Sequence, residues 1–165
     1  MSVEISQAHR ALKVLPSNNA DIPFPATNQT GTNTTLVAVN NLTDSAATFV
    51  SGGVKTGDIV YNITDGTAAT VVAVGSNTSL TMNADIFPSA GGTGKSYVIY
   101  VASPQSTIGN QGCVLYIGGA GNVTMTTNGN DIITLVGLNT GQFVPVQCVK
   151  VFATGTTATE IIALW

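Results

Sequence analysis

Charge is what this sequence has least of. Its 165 residues include 5 Lys+Arg and 8 Asp+Glu, so 8% are charged and the formal net charge is -3, against about 25% charged residues in an ordinary globular domain. Five scattered basic residues and an acidic pI near 4.7 offer no cationic face to a phosphate backbone, which excludes nucleic-acid binding of the electrostatic kind. Histidine and tryptophan occur once each, as His9 and Trp165. The two cysteines, Cys113 and Cys148, cannot build a zinc site with one imidazole between them. Both lie in apolar segments and read as buried free thiols, with a disulfide as the minority reading. Long apolar runs are missing too: Thr, Asn, Ser or Gly interrupts each one well short of the roughly 18 residues a membrane span needs. The opening MSVEISQAHRALKVLP lacks the basic start and apolar stretch of a secretory signal, so the chain is expected to be either cytoplasmic at synthesis or already processed. Disorder is excluded by a 44% hydrophobic content.

What replaces charge is 24 Thr, 14 Asn and 18 Gly. Thr and Val favour extended backbone while Gly and Asn supply turns, so the composition predicts many short strands. Alternation places them at Thr35 to Val39, Ala47 to Val50, Asp58 to Ile63, Thr70 to Val74, Ser79 to Met82 and Ser96 to Ala102. A second set covers Cys113 to Ile117, Asn122 to Thr126, Asp131 to Val136, Phe143 to Ala153 and Thr159 to Leu164. The expected fold class is all-β: two small sandwich or barrel units, 30–102 and 103–165, preceded by an extended N-terminal arm and proline-rich connector, 1–29. Only Val3 to Val14 has helical spacing, with Ile5, Ala8 and Leu12 on one side. The prolines between Leu15 and Pro25 allow neither a helix nor a central strand.

Each catalytic motif fails on its own chemistry. Ser89 to Ser96 (SAGGTGKS) approaches the phosphate-cradling pattern G-x-x-x-x-G-K-[ST], but Ser89 stands where glycine is needed. The loop is followed by the strand-like YVIYV and not by a helix whose amides would hold phosphates. His9 is the only imidazole available to activate a nucleophile, and it lies in the arm. Asp44, Asp58, Asp65, Asp85, Asp131 and Glu160 are spread singly over turns and strand starts, without a converging pair. Asn128 to Asp131 carries too few carboxylates for a calcium loop. Six N-x-[ST] sequons follow from an Asn- and Thr-rich composition. No catalytic residue, cofactor-binding residue or metal ligand is assigned, and no cofactor is expected.

Function is therefore expected in surfaces. A neutral, hydroxyl- and amide-rich exterior carries little repulsion between copies, so self-association is expected, as a trimer or a pentamer. The residues also carry a family likeness. Leu15 to Pro23 (LPSNNADIP), Cys113 to Val123 (CVLYIGGAGNV), Gly141 to Val146 (GQFVPV) and Phe152 to Trp165 (FATGTTATEIIALW) resemble the head spike base proteins of tailed phages and gene transfer agents. The resemblance covers residues 15–25 and 113–165; in typical members the proline segment runs almost directly into the L-Y-V-G strand, whereas here a further β module of phage structural type intervenes at about 30–102. It implies a non-enzymatic virion protein on the capsid exterior, a decoration, cement or head-spike-base protein. Its partners would be copies of itself, the major capsid protein and a spike fibre protein, with neither nucleic acid nor membrane. His9, Arg10, Lys13, Pro16, Asp21, Pro23 and Phe24 are the expected capsid contacts, and Trp165 and Phe143 the expected subunit contacts. The alternative is a tail or baseplate adhesin binding a host-surface glycan.

Overall fold

The structure, a computed structural model, describes residues 8–35, 38–102 and 112–165. Among them are twelve strands: β1 (Ala11–Lys13), β2 (Thr27–Thr32), β3 (Asn41–Thr43), β4 (Ile59–Asn62), β5 (Thr67–Ser76), β6 (Ser79–Met82), β7 (Ser96–Tyr100), β8 (Cys113–Gly119), β9 (Gly121–Thr127), β10 (Ile132–Leu138), β11 (Gln142–Val151) and β12 (Thr159–Leu164). They form two six-stranded antiparallel sheets, one of them a half-barrel, so the chain is all-β as its composition predicts. The first sheet runs β1-β12-β8-β11-β9-β10 and the second β2-β7-β4-β5-β6-β3.

Period-two alternation decides which side chains go inward. In β8, Cys113, Leu115 and Ile117 are buried while Val114 and Tyr116 are half-buried on the opposite face. Leu115 and Ile117 meet Val123 and Met125 of β9, Val144 and Cys148 of β11, and Ile161 and Ala163 of β12 in one apolar core. The second sheet closes over Phe49, Val60, Val71, Leu80, Met82, Tyr97 and Ile99. A third cluster joins the two: Leu12 and Ala20 pack with Ile59, Tyr61 and Ala68, flanked by Leu15, Tyr100 and Trp165.

The proline-rich segment is the joint between these layers. Ser17 donates its N–H to the Val151 carbonyl of the first sheet at 2.9 Å, and its hydroxyl to the Ala68 carbonyl of the second at 2.7 Å. Ile22 N–H reaches Val149 O at 2.8 Å, and the Asn19 carbonyl accepts from Thr70 Oγ1 and Asn83 Nδ2. A backbone that prolines exclude from the ladders is thus satisfied by both neighbours.

Several expectations need correction. Within the helix expected over Val3 to Val14, residues 3–7 lie outside the described residues, and Ala11–Lys13 is a strand paired with Ile162 to Leu164 of β12. Residues 1–29 are therefore not a separate arm as far as they are described: β1 completes the first sheet and β2 begins the second. Thr35 to Val39 is not a strand; Thr35 makes one isolated bridge to Thr43, residues 38–40 are a bend and turn, and 36–37 lie outside the described residues. Ala47 to Val50 is not a strand: Asp44 turns the backbone at Ser45 and Ala46 by accepting N–H groups from Ala46 and Ala47, and a second turn begins at Phe49, although Ala47 and Phe49 still point into the core. In the opposite direction, the polar β2 was not expected as a strand. Its Gly31 lies opposite Tyr97, and a Cβ there would stand 2.5 Å from the Tyr97 hydroxyl, so the glycine makes room for a ring.

Candidate interaction surfaces

Six of the nine expected contact residues fall into two groups in space. The first is built round the C-terminal residue. Trp165 accepts N–H bonds from His9 (2.6 Å) and Arg10 (3.3 Å) and returns one to the Arg10 carbonyl (3.0 Å). Phe24 meets the Trp165 ring edge-on at 6.0 Å, and the Arg10 guanidinium lies 4.8 Å over the Phe24 ring. His9, Arg10, Phe24 and Trp165 are thus one cluster, in which His9 and Arg10 are exposed and both rings are half-buried. Pro23 is buried within its own chain and is withdrawn as a contact residue. Pro16 is half-buried in the joint, and Asp21 is exposed, 3.9 Å from Lys150.

The second group lies on the face of the first sheet turned away from its core. Register pairs Lys13 with Ile162, Ile162 with Tyr116, and Tyr116 with Phe143, so these four residues form one transverse row. Three strand spacings put its ends about 14 Å apart. Phe143 is 59% exposed and meets Tyr116 edge-on at 5.2 Å, while Lys13 is held by Glu160 at 2.9 Å. Val114 and Leu164, opposite each other in the next row, continue an apolar face. Tyr116 and Ile162 were not singled out from the sequence; each alternates with buried neighbours, and only the register shows that they adjoin Phe143.

Between the sheets a groove of about 360 Å³ is lined by Leu12, Lys13, Leu15, Tyr61, Ile63 and Tyr100. Burial raises both phenols above their ordinary range. These hydroxyls stay protonated near neutrality.

The chemically tempting residues are committed to the fold. Lys95 of the glycine-rich loop pairs with the Asp65 carboxylate, and its backbone enters β7, which leaves no helix terminus to hold a phosphate. Asp58 is buried and accepts N–H bonds from Lys55 (2.9 Å) and Ala102 (2.8 Å). Asp44 is buried and accepts the Tyr97 hydroxyl at 2.7 Å. Asn128 to Asp131 is the β9–β10 turn, held by Thr127. Cys113 and Cys148 face each other across β8 and β11 with Sγ atoms 3.9 Å apart, free and buried; their mutual contact and burial push the Cys113 thiol far above its ordinary value. No group of three or more His, Cys, Asp or Glu placed to hold a metal occurs among the described residues, and no described helix is long and apolar enough to cross a membrane.

No family model, curated protein or solved structure matches this chain. The site is therefore defined by its own geometry: an outer face on the first sheet, an aromatic cluster at the C-terminus, and strand edges.

Proposed function

We propose that this chain is a non-enzymatic structural protein of a tailed-phage virion, which self-associates and docks on the outer capsid surface as a decoration, cement or head-spike-base protein. The observation that carries this reading is how the two family-like segments meet. Residues 15–25 and 113–165, about ninety positions apart, pack as one body: Ser17 and Ile22 bond to β11, and the Asn18 side chain makes paired bonds to Thr154. The intervening Thr27 to Tyr100 builds a sheet of its own. This is the arrangement expected of an insertion into a head-spike-base-like unit. The outer row from Lys13 to Phe143 and the Arg10–Phe24–Trp165 cluster are then the docking surfaces.

Immunogold labelling of the particles encoded alongside this chain, with the mass of the purified protein, tests the reading. Label on particle heads and a closed homo-oligomer are expected; a persistent monomer absent from heads overturns it. Deleting residues 1–14 would remove β1 and the buried Val14, so the cleaner variant is Arg10→Ala, which leaves the first sheet intact and should weaken head binding.

The exposed Phe143 ring beside Tyr116 favours the alternative of an adhesin, because sugar rings stack on such aromatics. That reading predicts label at tail tips and a host-polysaccharide affinity lost in Phe143→Ala.

A further inference from the structure

Of the four sheet edges, three are blunted. β1 and β3 have three residues each, and β2 is the polar TNQTGT. The fourth, β10, has seven residues, IITLVGL, none of them charged. It ends the first sheet, and among the described residues no strand pairs with its far side. Ile132 is 67% and Val136 76% exposed, while Ile133 and Leu135 are half-buried against the first core. Natural proteins protect a long apolar edge with lysine, proline or a covering element, because its free N–H and C=O groups template another strand.

We propose that β10 pairs antiparallel with β10 of a second copy across a two-fold axis, joining two first sheets edge to edge. The occupant follows from self-complementarity. A two-fold axis normal to the sheet keeps each side chain on its own face, so only registers that match like faces are allowed. The one that uses the whole run Ile132 to Val136 is centred on Thr134. It sets Ile132 against Val136 of the second copy on the outer face and Ile133 against Leu135 over the core. Asp131, the only charge adjoining the strand, then faces Gly137 and not its own copy, so no like charges meet. The run stops where it should: the register with β9 shifts between Leu135 and Leu138, Gly137 takes φ 69°, and its N–H is tied to Asn122 Oδ1 at 3.0 Å. This goes beyond capsid docking, and because it is a two-fold contact it can link copies whether or not they also form a ring.

Sedimentation of the full-length protein tests it. The wild type should contain an even number of chains, and Ile132→Lys should halve the mass, with circular dichroism confirming an unchanged β fold. Ile132→Lys combined with Val136→Glu sets opposite charges across the contact and should restore the mass. Thr134→Cys should cross-link to its own copy when treated with glutathione disulfide, whereas Thr30→Cys on the polar β2 should not. A monomeric wild type, a mass unmoved by Ile132→Lys, or no cross-link through Thr134→Cys overturns the proposal. An assembly that survives Ile132→Lys unchanged overturns this contact alone and leaves the head-docking reading to the labelling experiment.

Discussion

The two sheets are built from the same composition but held by different means. In the first, the core is Leu, Ile, Val, Met and two thiols, and its shape comes from strand register and apolar packing. In the second, Asn33, Asp44, Asp58, Asn62 and Lys95 are all buried alongside the apolar residues. Asn62 donates to Asp65 and to the Ile86 carbonyl, Asn33 Oδ1 accepts from Lys95 N–H, and Asp58 ties residues 55 and 102 together. The reason lies in the loops. From β8 onward the strands of the first sheet follow one another through short connections, with β9–β10 as its hairpin; the second must close over long turn-rich stretches at 44–58 and 83–95, whose buried amides need partners. Packing alone cannot satisfy an N–H, so the second sheet spends its few charged side chains as internal hydrogen-bond hubs. Charge is scarce in this chain, and part of it is not on the surface at all.

Substitutions should separate the two modes. The largest effect is expected from Leu115→Ala in the first core, about 4 kcal/mol as a transfer-plus-cavity cost, measured by denaturant unfolding. Leu115→Met, which conserves volume, should cost under about 1.5 kcal/mol. Asp58→Ala should cost about 3 kcal/mol by stranding the Lys55 and Ala102 amides. Here the near-isosteric Asp58→Asn should not rescue, because an amide cannot accept on both sides. If Leu115→Met proved as damaging as Asp58→Asn, the contrast between shape in one sheet and chemistry in the other would fail.

Smaller effects come from the hydroxyl and ion-pair partners. Tyr97→Phe leaves the buried Asp44 carboxylate one donor short and should cost about 1 kcal/mol. Burial, and then the adjoining Asp44, raise the Tyr97 phenol above its ordinary 10.0. The folded state binds that proton more tightly than the unfolded chain, so its stabilisation is complete below about pH 10 and declines as pH rises further. An alkaline unfolding limb that is shallower in Tyr97→Phe is the expected result. Asp65 runs the other way: the hydrogen bond from Lys95 holds its carboxyl below the ordinary 3.8, so its contribution is present above that value and declines as pH falls below it. Asp65→Asn should lower stability at neutral pH and flatten the acid limb, so that variant and wild type converge as pH falls below that value.

Much of the second half was legible beforehand because its alternation is clean. Cys113 to Ile117, Asn122 to Thr126 and Thr159 to Leu164 correspond to β8, β9 and β12 with ends moved by a residue or two. The first half was less legible for a physical reason. Phe49 and Ala47 alternate like a strand, yet they reach the core from two successive turns, the first set by Asp44, and β2 reads as a loop because an edge strand opposite a tyrosine can be polar and contain Gly31. Among the expected contact residues, the grouping of His9, Arg10, Phe24 and Trp165, and of Lys13 with Phe143, depended on pairings over more than a hundred positions. The exposed edge at β10 reads in the sequence as an ordinary strand, since nothing local distinguishes an edge from a centre.

Composition and alternation by themselves determined the all-β class, because Thr, Val and Gly leave few residues that favour a helix and supply a turn every dozen positions. Tertiary structure alone decided that residues 8–25 are a strand and a joint, that Asp44 and Asp58 are buried hubs, and that among the described residues one long apolar edge is left open. Each of those depends on which distant backbone group meets which, and pairing partners carry no mark in the local sequence.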